Sequence, residues 1–243
     1  MAQLDKKVKK LDKFVVLTHE DASSWKGLSN LIVIPNPITI CNDKLSDCTQ
    51  KRAIAVGRYT YQKGIDLLIT AWKQVYEKHP DWELHIYGGG NNADYQQLAD
   101  DLGMAQTVVC HEAVNNIDEK YHDSSIFILS SRYEGFGLVL AEAMAIGLAA
   151  VAFTCPCGPK DIIKNGEDGI LCENGNIMQL SQSICKLIEN EDLRKDMGQK
   201  AANNIRRYTV DNVMEQWVQL FNNLLLSASF TFCFFFFFFF FFL

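Results

Sequence analysis

Apolar and polar positions alternate along this chain with two distinct periods. Short, nearly unbroken apolar runs recur: "FVVLT" at 14–18, "LIVIP" at 31–35, "AIAVG" at 53–57, "ELHIYG" at 83–88, "TVVCH" at 107–111, "IFILS" at 126–130 and "AAVAF" at 149–153. Their length and β-branched content predict strands covered on both faces. Between them the period lengthens. Ile65, Leu68, Ile69, Trp72, Val75 and Tyr76 mark one face of a helix that His79-Pro80 ends. "ADYQQLADDLG" (93–103) predicts a helix closed by Gly103, and two more are expected around 117–123 and 137–146. Residues 177–224 read as helical throughout, with Ile177, Leu180, Ile184, Leu187 and Ile188, then Val210, Val213, Met214, Trp217, Leu220 and Phe221, on regular faces. The polar piece "NDKLSDCTQK" (42–51) reads as a structureless linker. Strands alternating with helices imply an α/β fold with a doubly wound parallel sheet.

Composition narrows the picture. The chain has 243 residues, 48% hydrophobic and 21% charged, enough for one or two domains with an ample core. A net charge of −6 with no basic stripe argues against a nucleic-acid partner. Cysteines at 41, 48, 110, 155, 157, 172, 185 and 233 form no C-x-x-C pair and no Cys/His zinc spacing, so no metal role is expected. Unpaired thiols fit a reducing, cytosolic setting. "MAQLDKKVKKLDK" lacks the apolar stretch of a signal peptide. The tail 225–243 carries nine consecutive phenylalanines (234–242). It is long enough to suggest a membrane anchor, but a thymine run read through would produce it, and it is read here as artefactual.

In a sheet of this kind ligands gather beyond the carboxyl ends of the strands. Four loops stand there. "GRYTYQKG" (57–64) places Gly57, Arg58 and Lys63 before a helix, which suits a phosphate; a solvated basic loop is the plain alternative. "YGGGNNAD" (87–94) holds Gly88, Gly90 and Ala93 in a loose dinucleotide fingerprint, with Glu112 available for a ribose. The alternative is a glycine turn that admits a neighbouring loop. "RYEGFGLVLAEAMAIG" (132–147) sets Glu134 before Gly135-Phe136-Gly137, where helical N–H groups can meet an anion. Glu142 lies about 7.5 Å further along the helix axis, placed to accept hydroxyls of a ribose. The alternative for Glu142 is an ordinary surface glutamate. "CPCGPKDIIKNGEDGILC" (155–172) reads as turn, short helix, turn and strand.

Taken in order, "GRYTYQKG", "RYEGFGLVLAEAMAIG" and "CGPKDIIKNGEDGIL" resemble the nucleotide-sugar-dependent glycosyltransferases of group 1, also called family 4. Glu134 and Glu142, separated by seven residues, reproduce that family's signature, and the resemblance covers about residues 12–224. It implies a GT-B fold, in which two Rossmann-like domains face each other across a cleft, with this chain carrying the C-terminal, donor-binding one. It implies transfer of a sugar from a UDP- or GDP-sugar, with retention and without a metal or other cofactor. The acceptor is expected to be a growing polysaccharide or a lipid-linked glycan, reached through peripheral contact with the inner face of the membrane.

The same resemblance assigns roles. Arg58 and Lys63 would hold the diphosphate, Glu134 the donor sugar and Glu142 the ribose. Backbone N–H groups of Gly137, Leu138 and Val139 would meet sugar or phosphate, and the main chain near Val114 the base. Residues 1–41 would be a remnant of the N-terminal acceptor domain with its linker, and 42–224 the nucleotide-sugar domain. The rest of that first domain is expected to be missing, so transfer by the chain alone would be weak. Departures from the family are Leu148-Ala149, where proline is common, and Asp161, where glutamate is usual. Two other classes remain open: a dinucleotide-dependent oxidoreductase resting on Gly88, Gly90, Ala93 and Glu112, and a non-catalytic nucleotide-sugar-binding module that needs a partner chain.

Overall fold

The computed structural model describes residues 7–40 and 44–227. The reading of the phenylalanine tail therefore falls outside the described residues beyond Ser227. Among the described residues no helix is long and apolar enough to cross a membrane.

Six parallel strands form the main sheet: β3 (Arg52–Val56), β4 (Glu83–Tyr87), β5 (Val108–His111), β6 (Ile126–Leu129), β7 (Ala149–Phe153) and β8 (Gly169–Cys172). Their spatial order is β5-β4-β3-β6-β7-β8. The chain starts in the middle, winds outward through β5, then returns to lay β6 beside β3. That reversal creates a crevice at the carboxyl ends of β3 and β6. The sheet is buried on both faces, as the apolar runs predicted. Helices α2 (Ile65–Lys78), α3 (Asn92–Asp101) and α7 (Ile177–Glu189) cover one face, joined by Met197 of α8 (Glu191–Ile205). Helices α4 (Ile117–His122) and α5 (Leu138–Ala145), with Ala201 and Ile205 of α8, cover the other. In α2 the predicted face is the buried one: Ile65, Leu68, Ile69, Trp72 and Val75 are all nearly inaccessible. Each such side chain contributes about 1.5–3 kcal/mol of burial free energy.

A smaller unit precedes this sheet. Strands β1 (Phe14–Val16) and β2 (Leu31–Val33) pair in parallel, with helix α1 (His19–Ser24) between them. Helix α9 (Val210–Ser227) packs Val213, Trp217, Leu220 and Leu224 against Ile32, Ile34 and Val15. Its other side leaves Met214, Val218, Phe221 and Leu225 exposed.

Two expectations need correction. Residues 44–51 are not a structureless linker. Ser46 N–H donates to the Ile146 carbonyl at 2.8 Å, and Glu83 N–H donates to the Lys51 carbonyl at 3.0 Å. The carbonyl of the buried Cys48 accepts from Arg194 Nε at 3.0 Å. The segment is fixed by partners distant in sequence, so its polar composition carried no trace of them. The stretch 177–224 is also not one continuous helical run. Asn190 breaks it by capping α8, its side chain accepting from Leu193 N–H at 2.9 Å, and a 3-10 turn at Arg206–Tyr208 separates α8 from α9.

Candidate active site

Three loops, those after β3, β6 and β7, are stitched together at the crevice. The first leaves β3 at Gly57 and enters α2 through Gly64, which has φ of +61°. A Cβ at Gly64 would lie 2.1 Å from the Ser130 carbonyl oxygen, so only glycine lets this turn press against the end of β6. The Ser130 hydroxyl donates to the Lys63 carbonyl at 3.0 Å, and Arg132 N–H donates to the Gln62 carbonyl at 2.8 Å. The Arg132 guanidinium grips both oxygens of Asp66 at 2.9 and 2.6 Å and lies 3.9 Å over the Tyr61 ring. The third loop joins through backbone contacts. Glu134 N–H donates to the Pro156 carbonyl at 2.9 Å, and a Cβ at Gly158 would come within 1.9 Å of the Phe136 carbonyl oxygen.

This stitching brings Lys63 and Glu134 together. Lys63 Nζ lies 2.7 Å from Glu134 Oε1, and the side chains keep only 16% and 6% of their surface exposed. The Ser131 hydroxyl donates to the same oxygen at 2.6 Å. Glu134 Oε2 has no partner among the described residues. The carboxylate is thus anchored by one oxygen while the other can accept a ligand hydroxyl. The Lys63 stem runs across Gly57, where a Cβ would meet it at 3.2 Å. Arg58 is exposed on the same loop; its carbonyl accepts from Thr60 N–H at 2.8 Å, while its guanidinium has no hydrogen-bond partner among the described residues. Cys155 sits buried nearby; burial, together with the Glu134 and Glu20 carboxylates, pushes its thiol up to about 12. It stays protonated and is no nucleophile at neutral pH.

Beyond Glu134 comes the start of helix α5. Gly137, at φ of +93°, starts α5 with no side-chain cap. Among the described residues nothing accepts from the N–H groups of Gly137, Leu138 or Val139, so they and the helix dipole are available together. Gly135 differs from its neighbour: it has an ordinary φ, and a Cβ there would meet nothing within 4 Å. Folding gives no reason for glycine at 135, whereas close approach of a ligand would. Glu142, one turn and a half into α5, is half-buried. Burial raises its pKa above the ordinary glutamate value of 4.5, and the Tyr121 hydroxyl meets its Oε2 at 3.5 Å. The same hydroxyl contacts the Val139 carbonyl at 3.4 Å. Val114 packs, partly buried, against the core on this side of the sheet.

Gly88, directly after β4, serves packing. A Cβ at Gly88 would lie 1.9 Å from the Gly57 carbonyl oxygen, and Tyr59 N–H donates to the Gly89 carbonyl at 2.9 Å. The loop after β3 occupies the space beside Gly88. Asp161 also has a task the sequence did not assign. Its carboxylate accepts from the N–H groups of His19 at 2.8 Å and Glu20 at 3.3 Å, capping α1. Glu20 in turn accepts from Cys157 N–H at 2.9 Å and pairs with Lys160. Sequence reading also missed Arg132 and Ser131; the only local signal for either was its place beside Glu134.

Residues 39–204 match the family described as glycosyl transferases group 1. An uncharacterized glycosyltransferase of Haemophilus influenzae is 35% identical over 211 residues, covering 85% of this chain and 60% of that protein. An amylovoran biosynthesis glycosyltransferase of Erwinia amylovora is 32% identical over 222 residues, covering 87% of this chain and 62% of its own length. The crystal structure of S. aureus TarM with fondaparinux, alpha-GlcNAc-glycerol and UDP superposes with a TM-score of 0.81 at 28% identity, covering 91% of this chain and 46% of that one. The chain thus spans 60%, 62% and 46% of the lengths of these three proteins. The matched segment, which covers more than half of the chain, together with the shared fold places it with them: the chain belongs to the group 1 glycosyltransferases.

Proposed function

We propose that this chain binds the donor of a retaining glycosyltransferase, a UDP- or GDP-sugar, and that the whole protein transfers the sugar to a growing polysaccharide or lipid-linked glycan. One observation carries the reading: the nearly buried Lys63–Glu134 pair, at 2.7 Å, stands beside a helix start whose N–H groups are free. A nucleotide sugar needs that sequence of surfaces, with cations and N–H donors for its diphosphate and carboxylates for the hydroxyls on either side. Arg58 and Lys63 take the diphosphate. Glu134 Oε2 accepts sugar hydroxyls, Glu142 accepts those of the ribose, and the main chain near Val114 meets the base.

In the reaction the bond from the anomeric carbon to the diphosphate oxygen breaks, the acceptor oxygen forms the new bond on the face the leaving group vacates, and the acceptor hydroxyl proton passes to the departing diphosphate oxygen. Negative charge grows on the departing diphosphate. Arg58, Lys63 and the N–H groups of Gly137, Leu138 and Val139 stabilise it without moving, which is the larger catalytic contribution in such sites. No metal is required in this scheme. UDP in the TarM complex favours a uridine donor, and the amylovoran relative favours a polysaccharide acceptor. The separate β1–β2 unit supports residues 1–41 as part of a first domain and its linker. Action on the cytoplasmic side, in peripheral contact with the membrane, would follow from a lipid-linked acceptor.

Thermal-shift titration with UDP, GDP and ADP tests the reading. One of the first two should raise the melting temperature, and Glu142→Ala should abolish most of the rise. No shift with any of the three, or a full shift in Glu142→Ala, would refute the site as assigned.

A further inference from the structure

Helix α2 begins at the proposed donor site and ends about 20 Å away at 1.5 Å rise per residue. Its far end meets α7. There a ring nitrogen of His79, Cys185 Sγ and a Glu189 carboxylate oxygen all lie within 4.8 Å of one another. His79 Nε2 is already 3.1 Å from Glu189 Oε1. We propose that His79, Cys185 and Glu189 form a zinc-binding site that ties the end of α2 to the last turn of α7.

Several independent features favour a cation of this kind. Cys185 and Glu189 are four residues apart on one helix, so both side chains leave the same face. His79 is fixed by its own backbone: its N–H donates to the Val75 carbonyl at 2.8 Å, and Pro80 follows it. Both α2 and α7 point their C-terminal ends toward the cluster, bringing partial negative charge. Cys185 and Glu189 line an open hollow of about 360 Å³, which gives an ion a route to them and room for a water as fourth ligand. The donor set decides the metal. A thiolate, an imidazole and one carboxylate suit Zn²⁺, whereas Ca²⁺ and Mg²⁺ demand mostly oxygen. Tetrahedral zinc with ordinary bond lengths needs ligand atoms about 3.3–3.6 Å apart, so side-chain rotations on the order of an ångström close the site.

Lys78 and Lys186 line the hollow and oppose a bare cation. A Zn²⁺ bound by one thiolate and one carboxylate is neutral overall, so the lysines face no net charge once it is seated. Coordination releases the Cys185 thiol proton to solvent. Affinity should therefore weaken as pH falls. No short motif announces the site, because His79 and Glu189 are 110 positions apart.

Cobalt titration of the full chain under reducing, oxygen-free conditions tests the proposal. One equivalent of Co²⁺ should produce a thiolate-to-metal charge-transfer band together with the visible bands of a four-coordinate ion, and Zn²⁺ should displace it. Cys185→Ser should abolish the charge-transfer band although the other thiols remain. His79→Gln and Glu189→Gln, substitutions at partly exposed side chains, should weaken zinc binding by at least about tenfold each without unfolding the chain. Absence of the band, its survival in Cys185→Ser, or undiminished zinc affinity in both surface variants would overturn the site. None of these outcomes depends on donor binding.

Discussion

Lys63→Met is the most informative single change. It keeps the stem that lies over Gly57 and removes only the charge. The partner, Glu134, is 6% exposed and would be left with the Ser131 hydroxyl as its single side-chain donor. Removing one member of a buried pair costs about 3–5 kcal/mol, because the remaining charge stays desolvated. Lys63 retains 16% exposure at the cleft mouth, so some water reaches the pair and the lower end applies, about 3 kcal/mol. For a chain of this size that corresponds to a fall in melting temperature of about 6–12 °C. The double variant Lys63→Met/Glu134→Gln should recover part of the loss, since a neutral amide tolerates burial there. The coupling between the two sites should be about 1–2 kcal/mol. Denaturant unfolding of the parent, both single variants and the double variant measures it. A cost below about 0.5 kcal/mol for Lys63→Met, the usual range for surface changes, would refute the account of the pair. So would single costs that simply add.

Other outcomes follow from the same geometry. Gly88→Ala should destabilise by several kcal/mol, roughly the cost of overpacking, because its Cβ would sit 1.9 Å from the Gly57 carbonyl; Gly89→Ala, with nothing within 4 Å, should be close to neutral. Equal unfolding midpoints for the two would contradict the packing of these loops. Gly135→Ala should melt like the parent yet bind UDP-sugar about tenfold more weakly by calorimetry, a difference of about 1.4 kcal/mol; undiminished affinity would remove the reason given for glycine there. Glu142 should give opposite pH trends in stability and binding. Its pKa in the folded chain is raised above 4.5 by burial, so the folded form takes up the proton first and stability from this group rises as pH falls through that window. Ribose binding needs the carboxylate and should weaken over the same window. Glu142→Gln should flatten both profiles, and parallel trends in the parent would contradict the assignment.

The sequence made the sheet legible because its strands are buried on both faces, which leaves runs such as "AAVAF" and "IFILS" with little choice of structure. The same applies to α2, whose apolar positions follow helical spacing throughout. Features built from distant partners were not legible. Helix α1 has six residues and no buried face, and it is held by Thr18 together with Asp161, 142 positions away. Residues 44–51 dock through Arg194, a nearly buried arginine that sequence alone would place in solvent. At the candidate site Arg58, Lys63, Glu134, Gly137 and Glu142 stand out in the sequence by their place in loops at the strand ends and by the family resemblance. The contact of Lys63 with Glu134 does not, since it spans 71 positions and depends on how two loops close. Asn190 is a signal that was present and overlooked: an asparagine followed by Glu191-Asp192 is a recognisable start for α8.

The contacts around residues 156 and 157 make a short lever between the first segment and the anchored carboxylate. Glu20 holds the Cys157 N–H, while the adjoining Pro156 carbonyl holds the Glu134 N–H. A pull on α1 therefore reaches residue 134 through a single peptide unit. Whatever is attached upstream of residue 19 has a mechanical handle on the charged centre, and substitutions at position 20 will register in the cleft without touching anything bound there.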